Sequence, residues 1–145
     1  LYELLAKQDG LVSHAMDIEG RAIHQSYSAS AQHAISSWEA LSEFHRNSNR
    51  LAALQQAVYK RMWVVCSPTS DKVDLLEYLA QCEHLRWMAF HLMCGYRLDR
   101  QLSPRDQWQR LKVHPNLLGY EALSEEDREK DRVNIRAALG QIIES

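Results

Sequence analysis

The sequence predicts an all-α protein made of two repeated helix-loop-helix units packed with pseudo-twofold symmetry. Three observations carry this prediction. Apolar residues recur at three- and four-residue intervals, and no stretch shows the alternation of a half-buried strand. Serines, aspartates, glycines and a proline fall where helices of ordinary length would begin and end. Finally, residues 38–43 (Trp-Glu-Ala-Leu-Ser-Glu) match residues 120–125 (Tyr-Glu-Ala-Leu-Ser-Glu) at six consecutive positions, five of them identical.

In chain order, residues 1–7 read as a short helical piece broken by Asp9-Gly10. A helix from about Ser13 to Ala29 carries Ala15, Ile18, Ala22 and Ile23 at helical spacing. Residues 28–37 are small and polar and read as a loop. Ser42 is the expected N-cap of a long helix with Leu51, Leu54, Val58 and Met62 on one face. Residues 64–68 read as a connector. Ser70 or Asp71 can cap the next helix, which runs to Cys94, and Gly95 suits a left-handed end. Ser103-Pro104-Arg105-Asp106 reads as the start of a short helix ending near Lys112. Residues 113–123 form a loop holding His114-Pro115. Ser124 and Asp127 have capping-box spacing, with Asp where Glu or Gln is usual. The last helix runs to about Gly140, with Val133, Ile135, Ala137 and Leu139 as packing candidates.

The repeat extends beyond the six matched positions. His24 and Tyr27 match His84 and Trp87, and Arg46 and Arg50 match Arg128 and Arg132. The offset between copies is 60 residues at the histidines and 82 at the aromatic-Glu-Ala-Leu motif, so the second copy carries a longer loop. The expected organisation is one domain over residues 1–145, with half-repeats at about 13–65 and 70–140. A chain that opens at Leu1 inside a helical pattern is expected to be part of a longer protein.

Composition narrows the function. A net charge of -2 argues against a nucleic-acid binder, which normally shows a basic face. Cys66, Cys82 and Cys94 are odd in number and form no C-x-x-C pair, which fits a reducing, cytoplasmic setting. No apolar run is long enough to span a bilayer, so no membrane insertion is expected. No P-loop, G-x-G-x-x-G or H-E-x-x-H motif is present, and the histidines and cysteines lack zinc spacing. The expectation is a protein that is not an enzyme and needs no metal or cofactor.

The chemistry-bearing residues gather between Glu83 and Arg132. On the helix from Asp71, Leu76, Ala80, Glu83, Trp87, Phe90 and Cys94 form one stripe, and Glu83 interrupts it with a carboxylate. A buried carboxylate needs a partner. The candidates are Arg128, Arg132 and His114, and Arg86 on the same helix, which Cα direction places on the wrong side. Glu83 is therefore either half of a structural ion pair or an acceptor for a ligand. His84 and Trp87 lie one turn apart, each readable as core or as a ligand contact. His114 precedes Pro115 and is pushed toward an extended conformation, as a loop anchor or a ligand contact. Arg128, Arg132 and Arg136 share a helix face, either as a solvated salt-bridged surface or as an anion clamp.

At these residues the chain resembles the RyR domain, the repeat of ryanodine receptors and of bacterial proteins. The resemblance rests on Glu83, His84 and Trp87; Gly95 and Tyr96; His114, Pro115 and Leu117; Tyr120, Glu121 and Leu123; and Arg128, Lys130, Asp131 and Arg132. It reaches the first half through His24, Tyr27, residues 38–41 and Arg50. Three features depart from the family pattern: Asp99 where a second glycine is usual, a long stretch over residues 97–112, and Gly119 where a proline is common. The resemblance implies a regulatory module that binds a small nucleotide-like ligand and signals to a fused or partner domain. An assembly domain without a small ligand, or a homo-oligomer, is the alternative. The expected site joins Glu83, His84 and the His114 loop to Arg128 and Arg132, with Trp87 or Tyr96 facing a base.

Overall fold

The computed structural model describes residues 14–30 and 37–144. It is mostly helical: α1 His14–Ser30, α2 Glu43–Cys66, α3 Lys72–Met93, the short α4 Trp108–Leu111 and α5 Glu125–Leu139. The expected absence of strands needs one correction. Arg97–Leu98 (β1) pairs in parallel with Val113–His114 (β2), a ladder too short for any alternation to register in the sequence. The predicted helical piece at residues 1–7, the Asp9-Gly10 break and residues 31–36 of the predicted loop lie outside the described residues. Residues 28–30 continue α1 rather than opening a loop. The chain divides into two compact units, Leu1–Val58 and Tyr59–Ser145, with the division inside α2.

In the first unit Ile23 packs with Ala52 and Ala53. Gly20 lets α1 approach a ring closely, since a Cβ there would lie 2.8 Å from the Trp38 side chain. Of the apolar positions that mark the helical spacing, Ala15, Ile18 and Ala22 are exposed and Ile23 is buried. The predicted face of α2 is corrected at three of its four positions: Leu51, Leu54 and Val58 are 40%, 47% and 45% exposed, while Met62 packs against the core and Tyr59 and Trp63 are each 2% exposed. Large aromatic side chains bury the most apolar area, and they set the rotation of the helix.

The second unit holds the larger core, built from Tyr59, Trp63, Leu75, Leu79, Ala80, Tyr120, Leu123, Ile135 and Leu139. Trp63 needs α2 intact around it, so residues 64–66, predicted as a connector, are helical, and the turn comes at residues 67–70. Asp71 then caps α3, accepting from Val73 N at 2.8 Å and Asp74 N at 3.1 Å. α3 ends in a Schellman motif. Gly95 has φ +84°, its N–H donates to Leu92 O at 2.9 Å, and Tyr96 N–H donates to His91 O at 2.9 Å. α3 packs along α5. Ser124 caps α5 as expected, accepting from Asp127 N at 3.1 Å and donating Oγ–H to Asp127 Oδ2 at 2.7 Å. Ile135, Ala138 and Leu139 form the buried stripe of α5; Val133 and Ala137 face away from it and are exposed.

Residues aligned by the sequence repeat make corresponding contacts within their own units. Arg50 donates to Asp17, Glu43 and Asn47; Arg132 donates to Glu77, Glu125 and Glu129. Arg21 reaches Glu39 as Gln81 reaches Glu121. The His24 and Trp38 rings are 6.2 Å apart at 57°; those of His84 and Tyr120 are 6.0 Å apart at 61°. Residues 38–40 and 120–122 both form a single 3-10 turn followed by an extended leucine. Gly20 aligns with Ala80, so the smaller helix residue accompanies the larger ring, Trp38 rather than Tyr120.

Candidate functional site

Glu83 is 4% exposed, as its place in the α3 stripe predicts. Its partner is not the expected one. Arg86, one turn along the same helix, donates Nε–H to Glu83 Oε2 at 2.8 Å and Nη2–H to Oε1 at 2.7 Å. Tyr59 O–H donates to Oε2 at 2.9 Å. The i to i+3 spacing lets the long guanidinium stem curl back to the carboxylate, which a reading by Cα direction alone misses. Burial first, and then the Glu83 charge, hold the Tyr59 phenol well above its ordinary range. Three hydrogen bonds from α2 and α3 therefore hold this acid.

The next turn of α3 builds a different surface. His84 is buried, with Nε2 at 2.8 Å from Leu118 O and Nδ1 at 3.5 Å from Asp131 Oδ2. Both neighbours only accept, so the geometry favours a ring with a proton on each nitrogen. Burial works against that charge, but the bonds to Asp131 and Leu118 prevail and raise the imidazole pKa. Trp87, half-buried, stacks on His84 at 5.7 Å and meets His91 at 4.1 Å and His114 at 4.7 Å. His91 donates Nδ1–H to Trp87 O across 2.9 Å. The Schellman end of α3 lays Tyr96 against His91, rings 5.0 Å apart. The β1–β2 pair brings His114 to the cluster, where Trp108 meets it edge-on at 4.7 Å. His114 Nδ1 accepts from Asn116 N at 3.1 Å. Burial, then the nearby His91, pushes the His114 pKa down to about 4.

The two expected arginines have partners of their own. Arg132 donates to Glu77 through Nε and Nη2, at 2.6 and 3.0 Å, and to Glu125 and Glu129 through Nη1. Those carboxylates raise its already high pKa further. Arg128 lies 5.9 Å over the Tyr120 ring and donates to Leu123 O at 3.3 Å. The predicted set therefore divides by partner: Glu83 with Arg86 and Tyr59, a ring cluster of His84, Trp87, Tyr96 and His114, Arg132 with Glu77, Glu125 and Glu129, and Arg128 with Leu123 O and the Tyr120 ring. Sequence reasoning missed His91, Trp108, Glu77 and Tyr59, and gave Asp131 no part in holding His84. His91 could have been found as the residue one turn beyond Trp87; Glu77 and Tyr59 had no local signal. Among the described residues no three His, Cys, Asp or Glu side chains are placed to hold a metal ion, and no helix is long and apolar enough to cross a membrane.

The two histidines predict opposite pH limbs. The His84 pKa is raised above 6.5, so its contribution is complete below about pH 6.5 and is lost as pH rises through the raised value. The His114 pKa is lowered, so its contribution is complete above about pH 6.5 and is lost as pH falls toward about 4. The acid limb amounts to about 1–2 kcal/mol once solvent screening of a half-buried ring is allowed for. Urea unfolding between pH 4 and 9 should give a maximum near neutrality. His114→Asn, which keeps an acceptor for Asn116 N–H, should flatten the acid limb alone; an unchanged acid limb would contradict the assignment.

No family model, curated protein or solved structure matches the chain.

Proposed function

We propose that the chain is an RyR-like, non-enzymatic regulatory module that binds a small nucleotide-like ligand at the ring cluster of the second unit and reports it to a fused or partner domain. The observation that carries this reading is the Trp87 indole, half-buried and bordered by His84, His91 and His114. Flat rings with polar edges suit a heteroaromatic base, offering a stacking face and hydrogen bonds from the same residues. In this reading the two units are half-repeats of one plan, supported by the corresponding contacts of Arg50 and Arg132.

Thermal-shift measurements against nucleotides and cyclic nucleotides test the proposal. A true ligand at a hundredfold excess over its Kd adds about 2.7 kcal/mol of stability. Trp87→Leu should abolish the shift while the protein still melts cooperatively. A panel in which no nucleotide or nucleoside raises Tm would end the reading.

A second reading, an assembly domain, is favoured by one feature of α3. Tyr78, Leu85 and Leu92 are exposed at seven-residue intervals, the period of a helix-pairing seam. Light scattering distinguishes the two: a dimer that Leu85→Glu dissociates supports assembly, and a monomer at high concentration opposes it.

A further inference from the structure

We infer that the stretch from Arg97 to Lys112 is an anion-binding arm, whose Arg100 and Arg105 take the phosphate of a ligand seated at the Trp87 cluster. The inference rests on the nucleotide-binding reading and replaces Arg128 and Arg132 as the phosphate contacts.

The arm is an addition to the shared plan of the two units. The offset between the aligned motifs grows by 22 residues in the second copy, and this stretch lies in that surplus. The first unit makes the corresponding arginine and ring contacts without it, so packing alone does not require it. Its charge is also unlike the rest of the chain. It holds five basic side chains and two acidic ones, a net of +3 within a protein of net charge -2. One of the two acids, Asp99, is buried and turned inward, accepting from Ser103 N at 2.7 Å and Gln101 N at 3.1 Å.

Those bonds give the arm a fixed form. Trp108 donates Nε1–H to Ser103 O at 2.7 Å, Lys112 Nζ donates to Cys94 O at 2.9 Å, and the β1–β2 pair closes the base. Arg97, Arg100 and Arg105 are exposed, and among the described residues no carboxylate pairs with any of them. Arg105 lies 5.9 Å over Trp108, which touches His114, which touches Trp87. A column of rings thus runs from the proposed base site to an arginine. Guanidinium groups meet phosphate oxygens with paired, charge-assisted hydrogen bonds, and a preformed loop loses little freedom on binding.

Isothermal titration with ATP, adenosine and inorganic tripolyphosphate tests the arm in wild type, Arg100→Gln and Arg105→Gln. Arg61→Gln, on the exposed side of α2, is the control. ATP should bind at least tenfold more tightly than adenosine, and each arm variant should weaken ATP about tenfold while leaving adenosine unchanged. Equal affinities for ATP and adenosine, or arm variants that bind ATP like wild type, overturn the inference and leave the nucleotide reading standing. Failure of both ATP and adenosine to bind overturns the two together. A single-stranded oligonucleotide that binds far more tightly than ATP overturns it in favour of a nucleic-acid surface.

Discussion

Glu83→Ala is expected to lower the unfolding free energy by about 3–5 kcal/mol, the cost of removing one partner of a buried ion pair. The carboxylate accepts two bonds from Arg86 and one from Tyr59, and the whole group is buried or nearly so. Its loss leaves a cation and a phenol facing a cavity in a low-dielectric interior. Against a typical stability of about 5–15 kcal/mol this is a large fraction. Glu83→Gln keeps the shape and an acceptor for Tyr59 and should cost less. Urea unfolding of the two variants, with Tyr59→Phe in a double-mutant cycle, measures the coupling. A loss below about 1 kcal/mol in Glu83→Ala would show that the acid is solvated in solution. If Glu83 were instead a ligand contact, the alanine variant would keep its stability and lose only affinity.

Trp63→Ala should cost a similar amount, about 3–5 kcal/mol, because it empties the centre of the larger core. Trp63 is 2% exposed and shares its cluster with Tyr59, Leu79, Ile135 and Leu139. The informative comparison is with the opposite face of α2. Leu54→Ala and Val58→Ala should each change stability by about 0.5 kcal/mol or less, as exposed positions do. A larger loss at Leu54 than at Trp63 would mean that α2 turns the other face inward. Denaturant midpoints at constant m-value decide between them.

These two residues mark the boundary between what the chain states locally and what it does not. The α2 sequence carries two helical stripes, one through Leu51, Leu54 and Val58 and one through Tyr59 and Trp63. Periodicity identifies the helix in both cases and cannot choose between them. The choice follows from what meets the helix: Leu79 and Ile135, from α3 and α5, leave room for rings. In the same way Arg86 was read as facing away from Glu83. Three flexible methylenes bring it back, and no rule based on Cα direction foresees that. Arg128 and Arg132 looked like one stripe ready for an anion. Glu77, 55 residues earlier in the chain, fills Arg132, and that separation is invisible to spacing arguments.

The sequence by itself determined the long helices and the ends that a capping residue or a glycine marks, because caps, glycine stops and apolar periods are local interactions. Asp71, Gly95 and Ser124 act as their residue types require. The matched positions 38–41 and 120–123 also take the same local form, a 3-10 turn followed by an extended leucine. Only the tertiary structure decided which helix face is buried, which acid meets which base, and that His91, His114 and Trp108 share one surface with Trp87. Those outcomes depend on side chains brought together by packing across long sequence separations. There, shape and desolvation select the partners, and neighbouring residues in the chain carry no record of that selection.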